Sequence, residues 1–250
     1  MITIKNDRLT IKMAEPNVEL NTARFNRAGF IVSAVLDGKT EYCGDEHGGT
    51  GGYGLCSEIA TDVNSESVAI GEKFIKFGVG LLTKFENRRY DAMNPYEVTP
   101  FPIAYEAKED SVTFTTVTPL FDGFAAKEVK TVSVKDNILT VKTTFANTGD
   151  KPFTYAEYNH NFLTTDYSGV RNNYNLYMHA THEDLPYSWR IHFTQERAAI
   201  VAKDSFRPHH FNIWSPGFVI SPEIWISEDL LPGQSVNYTR SWEFQTDVDQ

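Results

Sequence analysis

Segments in which apolar and polar residues alternate one by one recur almost from end to end of the chain. They are ITIKN, LTIKMA, NTARF, GFIVSAVL, SVTFTTV, AKEVKTVSV, ILTVKTTFAN, FVIS and QSVNYTRSWEF. Successive side chains of an extended chain point to opposite sides, so this alternation lets each segment bury one face and wet the other. The segments are rich in β-branched and aromatic residues, and turn residues separate them. Lys135-Asp136-Asn137 joins KTVSV to ILTVKTTF as a hairpin, and Asp37-Gly38 closes another. No stretch carries a clean helical stripe longer than about two turns. The best helix candidate is TQERAAIVAKD, residues 194–204. The pattern predicts an all-β chain: one large antiparallel β-sandwich domain over residues 1–250, with few short helices.

Charge and composition narrow the function. The formal net charge is −10 and the basic residues are scattered, so a nucleic-acid backbone would be repelled and no nucleic-acid partner is expected. Small neutral substrates fit that field best. No stretch approaches the ~18 to 20 apolar residues of a membrane span, and no signal-peptide run follows the first charges. No membrane partner is therefore expected, and the expected location is the cytoplasm; oligomeric state is not encoded in any pattern found. Cys43 and Cys56 lack metal or redox spacing and read as thiols rather than a disulfide framework. The glycine-rich HGGTGGYG at 47–54 lacks the Lys-Ser/Thr ending of a phosphate loop and reads as a turn. His179 with His182 and Glu183 has loose ligand spacing, and the neighbours His209 and His210 would point apart on a strand. Neither pair predicts a metal, and no cofactor is expected.

Two polar residues interrupt aromatic strands. In EYNHNF, residues 157–162, alternation puts His160 on one face with Tyr158 and Phe162, and Glu157, Asn159 and Asn161 on the other. From residue type alone, a hydrogen-bonded core histidine and a proton-transfer histidine both fit. In FNIWSPGFVISPEIWIS, residues 211–227, Glu223 follows Pro222 and stands between Ile220 and Ile224. Proline implies a strand end, an edge or a bulge, and a carboxylate among apolar neighbours must be solvated, paired or shifted in pKa.

These residues carry a resemblance. Asn159-His160-Asn161-Phe162 is similar to the Asn-His motif of the galactose mutarotase (aldose 1-epimerase) superfamily. Ser221-Pro222-Glu223 with Leu230-Leu231-Pro232-Gly233-Gln234 resembles that family's C-terminal strand with its glutamate and trailing Pro-Gly turn. Gly78 to Lys84 resembles the segment ending in a sugar-binding Asn-Arg, with Thr83 and Lys84 in those places. The chain departs from the family in having no histidine between residues 48 and 159. The resemblance implies a compact member with a sugar cleft on one sheet, with His160 as general acid and Glu223 as general base. It also implies Lys84 as a sugar contact. A carboxylate and an imidazole suit ring opening because their pKa values can be tuned to either side of neutral.

Tyr158, Trp225 and Asn161 are further candidate substrate contacts, the aromatic pair because sugar C–H faces pack on rings. Trp214, Arg88, Arg89 and His210 could also line the cleft, and Lys73, Lys76 and Lys84 could meet a phosphate. The expected ligand is a sugar or sugar phosphate. Three functions follow from the resemblance: an epimerase, a carbohydrate-binding protein without chemistry, or another carbohydrate-processing enzyme on the same fold.

Overall fold

A computed structural model describes residues 1–20, 22–45, 51–165, 174–179 and 187–248. Its described elements are strands, arranged in two eight-stranded sheets and one of three strands. The first large sheet runs Ile2–Lys5, Leu9–Met13, Ile31–Leu36, Leu55–Ile59, Phe153–Asn161, Ser221–Leu230 and His210–Trp214, with Thr40–Glu41 paired to Ile31–Leu36. The second runs Tyr174–His179, Ser188–Phe193, Ala198–Asp204, Ser235–Gln245, Ile138–Asn147, Phe124–Lys135, Ser111–Phe121 and Ile103–Ala107. Neighbouring strands pair antiparallel throughout, as the predicted β-sandwich requires.

The inner faces of the two large sheets meet in one core. Ile11, Ala34, Leu36 and Leu55 from the first sheet pack with Phe114, Val132, Leu139, Ile200, Trp242 and Phe244 from the second. Each large apolar side chain enclosed there contributes about 1.5–3 kcal/mol. The third sheet, Lys73–Lys76, Gly80–Thr83 and Val98–Pro100, has its own aromatic cluster: Phe74 meets Tyr90 and Tyr96 edge-on.

Both predicted hairpins form. Asp37 (φ 52°) and Gly38 (φ 66°) occupy the left-handed region that such a turn demands, and Asp136 (φ 53°) does so in the other. Asp122-Gly123 makes a third turn of the same kind (φ 50° and 78°) between Ser111–Phe121 and Phe124–Lys135.

The best helix candidate is a strand. Among the described residues there is no helix, and residues 194–204 are a turn at 194–197 followed by the strand Ala198–Asp204. That strand pairs on one side with Ser188–Phe193 and on the other with Ser235–Gln245. Two flanking ladders and the burial of Ala198, Ala199 and Ile200 outweigh the weak helix propensity of a short alanine-containing run.

Candidate functional site

The candidate site lies on the first sheet's other face, away from the inter-sheet core. Register places it. Tyr158 stands opposite Trp225 in the ladder between Phe153–Asn161 and Ser221–Leu230, and the isolated bridge of Leu163 with Ile220 continues the same register. His160 is therefore directly across from Glu223, and its Nε2 lies 3.1 Å from Glu223 Oε1. Asn212, opposite Glu223 on the edge strand His210–Trp214, donates from Nδ2 to Glu223 Oε2 at 3.0 Å. The Ser221 hydroxyl donates to Oε1 at the longer distance of 3.4 Å.

Aromatic rings wall the pair. His160 stacks on Phe162 (centroids 4.1 Å, planes 8° apart) and meets Trp214 edge-on at 5.1 Å. Phe25 closes another side, edge-on to the imidazole at 6.1 Å. Gly52 permits this enclosure, since a Cβ there would come within 2.2 Å of the Phe162 ring. Gly54 is likewise required: it adopts φ 56°, and a Cβ would lie 2.2 Å from the Ile31 carbonyl oxygen. These are the last glycines of the HGGTGGYG run; residues 47–50 lie outside the described ones.

Both side chains of the pair are nearly enclosed, His160 4% and Glu223 7% exposed. Burial and, secondarily, the Arg24 charge push the imidazole down to about 3. Burial raises the Glu223 carboxyl, against the Asn212 hydrogen bond and Arg24. Desolvation thus disfavours both charges. His160 Nδ1 is buried with no hydrogen-bond partner, and so is Nε1 of the neighbouring Trp225.

One step along the strands, Tyr158 stacks on Trp225 (centroids 4.1 Å, 13°) and is 5% exposed, so Trp225 is the ring that reaches the surface and Tyr158 backs it. The Tyr158 hydroxyl donates to Glu58 Oε2 and accepts from Arg24 Nη2, each at 2.7 Å. Arg24 Nε also donates to Glu58, and buried Lys76 donates to the other Glu58 oxygen at 2.9 Å. The sequence reading missed Arg24, Glu58 and Asn212. Register would have found Glu58, which sits opposite Tyr158 on Leu55–Ile59, but no local pattern marks Arg24.

Two expected sugar contacts are corrected. Lys84 is buried, and its ammonium donates to the carbonyls of Ser65 (2.8 Å), Glu66 (3.2 Å) and Val68 (2.8 Å). It ties a loop and has no proton left for a ligand. Asn161 faces the inter-sheet core, where its amide bonds Asn159, Pro222 and Trp242. Strand alternation had already separated it from His160.

The remaining candidates are dispersed. Arg88 and Arg89 are exposed beside Glu86 and Glu66, and Lys73 donates to Thr99. His210 meets Trp225 edge-on at 6.2 Å. Cys43 and Cys56 are buried and not joined in a disulfide. His182 and Glu183 lie outside the described residues. Among the described residues no helix is long and apolar enough to cross a membrane, and no His, Cys, Asp and Glu side chains group as metal ligands.

No family model matches the chain, and no curated protein matches it. Solved structures do. A galactose mutarotase-like protein from Lactobacillus casei ATCC 334 superposes with a TM-score of 0.64 at 16% identity, over 98% of this chain and 100% of that one. A proposed aldose 1-epimerase from Escherichia coli K12 gives 0.62 at 13%, covering 98% of each chain. A GalM/aldose epimerase homologue from C. elegans gives 0.54 at 13%, covering 99% of each. At these identities the likeness is one of fold: the chain has the galactose mutarotase-like fold.

Proposed function

We propose that this protein interconverts the anomers of an aldose by acid–base opening and closing of the sugar ring. The observation that carries the reading is the direct contact of His160 with Glu223 on an aromatic-walled sheet face, with the pKa of each displaced toward its neutral form. Perturbed acid and base groups gathered at one place are the usual mark of proton-transfer chemistry. The structural neighbours, described as aldose epimerase- and mutarotase-like proteins, point the same way, toward sugars.

Opening the ring removes the proton of the C1 hydroxyl and adds one to the ring oxygen; closing reverses both. Glu223 takes the first proton and His160 gives the second, so the pair holds one titratable proton before and after each turnover. In the sugar-free protein that proton sits on Glu223, because a dry site favours carboxylic acid beside neutral imidazole over carboxylate beside imidazolium. Transfer across the 3.1 Å contact arms the site. Each positioned group supplies about 10²–10⁴ in rate. Neither step calls for a cofactor. Trp225 offers the stacking surface for a sugar face.

Anomer exchange on a panel of aldoses and their phosphates, read by NMR, tests this. At least one sugar should exchange faster with protein present, and Glu223→Gln or His160→Asn should slow it about 10²-fold with little change in binding. Binding without exchange would make the protein a carbohydrate-binding module instead.

A further inference from the structure

The ladder between the His160 and Glu223 strands is interrupted at the candidate site. It is continuous from Phe153 opposite Leu230 to Tyr158 opposite Trp225, and resumes in the same register at Leu163 and Ile220. In the gap, Asn161 stands opposite Pro222. Proline has no N–H, so one of the two backbone bonds due at this step cannot form, and the Asn161 N–H that would make the other donates to Ser221 Oγ instead. Side chains arriving from the inter-sheet core replace the missing pair. Asn161 Nδ2 donates to the Pro222 carbonyl at 2.5 Å, and Arg240 Nη2 donates to the Ile224 carbonyl at 3.0 Å. The carbonyls on either side of Glu223 are thus both held from behind.

Asn161 is itself fully held. Its Nδ2 also donates to the Asn159 carbonyl at 3.2 Å, while Oδ1 accepts from Asn159 Nδ2 at 3.0 Å and from Trp242 Nε1 at 3.2 Å. These contacts use both protons and both lone pairs of the amide. Its backbone N–H donates to Ser221 Oγ at 2.9 Å, and that hydroxyl reaches Glu223 Oε1. Asn161 is 2% exposed, so none of this serves a ligand directly.

We propose that Asn161 is a positioning residue for Glu223: it holds the strand at Pro222 where the ladder cannot, and so keeps the carboxylate against His160. As a role in turnover this rests on the epimerase reading; as a statement about Glu223 it does not. In EYNHNF the two faces then have distinct work, His160 forward toward the substrate and Asn161 backward onto the opposite strand.

The test is Asn161→Asp, which preserves size and both acceptor contacts but puts an oxygen where Nδ2 donated to two carbonyls. Two readouts are taken on variant and wild type: the Glu223 carboxyl titration by ¹³C NMR, and anomer exchange. The expected result is a Glu223 pKa that falls toward the ordinary carboxylate range as the side chain loosens into water. With it, kcat should fall roughly 10- to 100-fold, with KM nearly unchanged, because small misplacements of a reacting group cost that much. A folded variant with the wild-type Glu223 titration and kcat overturns the proposal. If wild type exchanges no aldose, the epimerase reading fails alone, and the titration still decides the positioning. If the variant does not fold, the side-chain amide protons of Asn161 in wild type decide it: slow exchange with solvent supports the clamp, and exchange at the rate of a solvated amide overturns it.

Discussion

Two groups of buried charge sit on opposite faces of the same pair of strands, and they are built differently. On the inner face Arg240 meets Glu157 at 2.7 Å through Nη2 and Asp204 at 2.9 Å through Nη1, a cation shared by two carboxylates. On the outer face Glu223 has a histidine pushed toward neutrality instead of a committed cation, and His160 Nδ1 is unpartnered. Both groups are almost fully enclosed, so burial alone does not mark chemistry. What separates them is whether a permanent cation is committed to the carboxylates. The inner group is held on a permanent guanidinium, whereas the outer pair has only a titratable imidazole, the arrangement that the proposed proton transfer uses.

The largest effect that would break this comparison is on stability. Arg240→Met leaves Glu157 and Asp204 buried without their cation and should cost about 3–5 kcal/mol in urea unfolding. Glu223→Gln, which removes a carboxylate with no dedicated cation, should cost far less. Equal losses would mean that the outer pair is as structural as the inner group.

A second, smaller effect concerns pH. Burial raises Asp204 to about 6, with Arg240 opposing. Its ordinary value is ~3.9, so the folded state holds this proton more tightly than the unfolded chain. The stabilisation is fully present below about pH 4 and is lost as pH rises through about 6. It amounts to roughly 3 kcal/mol, and unfolding curves of Asp204→Asn should lack it. An unchanged pH dependence in that variant would remove Asp204 from the account.

The smallest effect sharpens the boundary of the site. Lys84→Met should cost about 1–3 kcal/mol by leaving loop carbonyls unmet, yet leave KM for the sugar unchanged. A raised KM at unchanged stability would restore Lys84 as a ligand contact.

How much of this was legible in the sequence follows from the range of the forces involved. Alternation and turn residues are local, so the strands, the Asp37-Gly38 and Asp136 turns and the two faces of EYNHNF could be read directly. Pairing His160 with Glu223 needed the resemblance, because register between strands 63 residues apart in sequence is set by the whole sheet. Lys84 was misread since its partners, the carbonyls at 65, 66 and 68, carry no side-chain signature. Residues 194–204, the best helix candidate by local pattern, form a strand because the two ladders that flank it are long-range.

In the proposed mechanism the His160–Glu223 pair works with one shared titratable proton. The pH dependence of kcat/KM for anomer exchange tests it most directly, since that ratio reports the ionisation of the free protein. Wild-type kcat/KM should be highest in acid and fall about tenfold per pH unit above the raised pKa of Glu223, as the pair loses its proton. In Glu223→Gln the rate should be about 10²-fold lower and the fall should move to the lower pH at which His160 alone loses its proton. A wild-type rate that climbs to a plateau as pH rises, or a variant profile identical to the wild type, would contradict it.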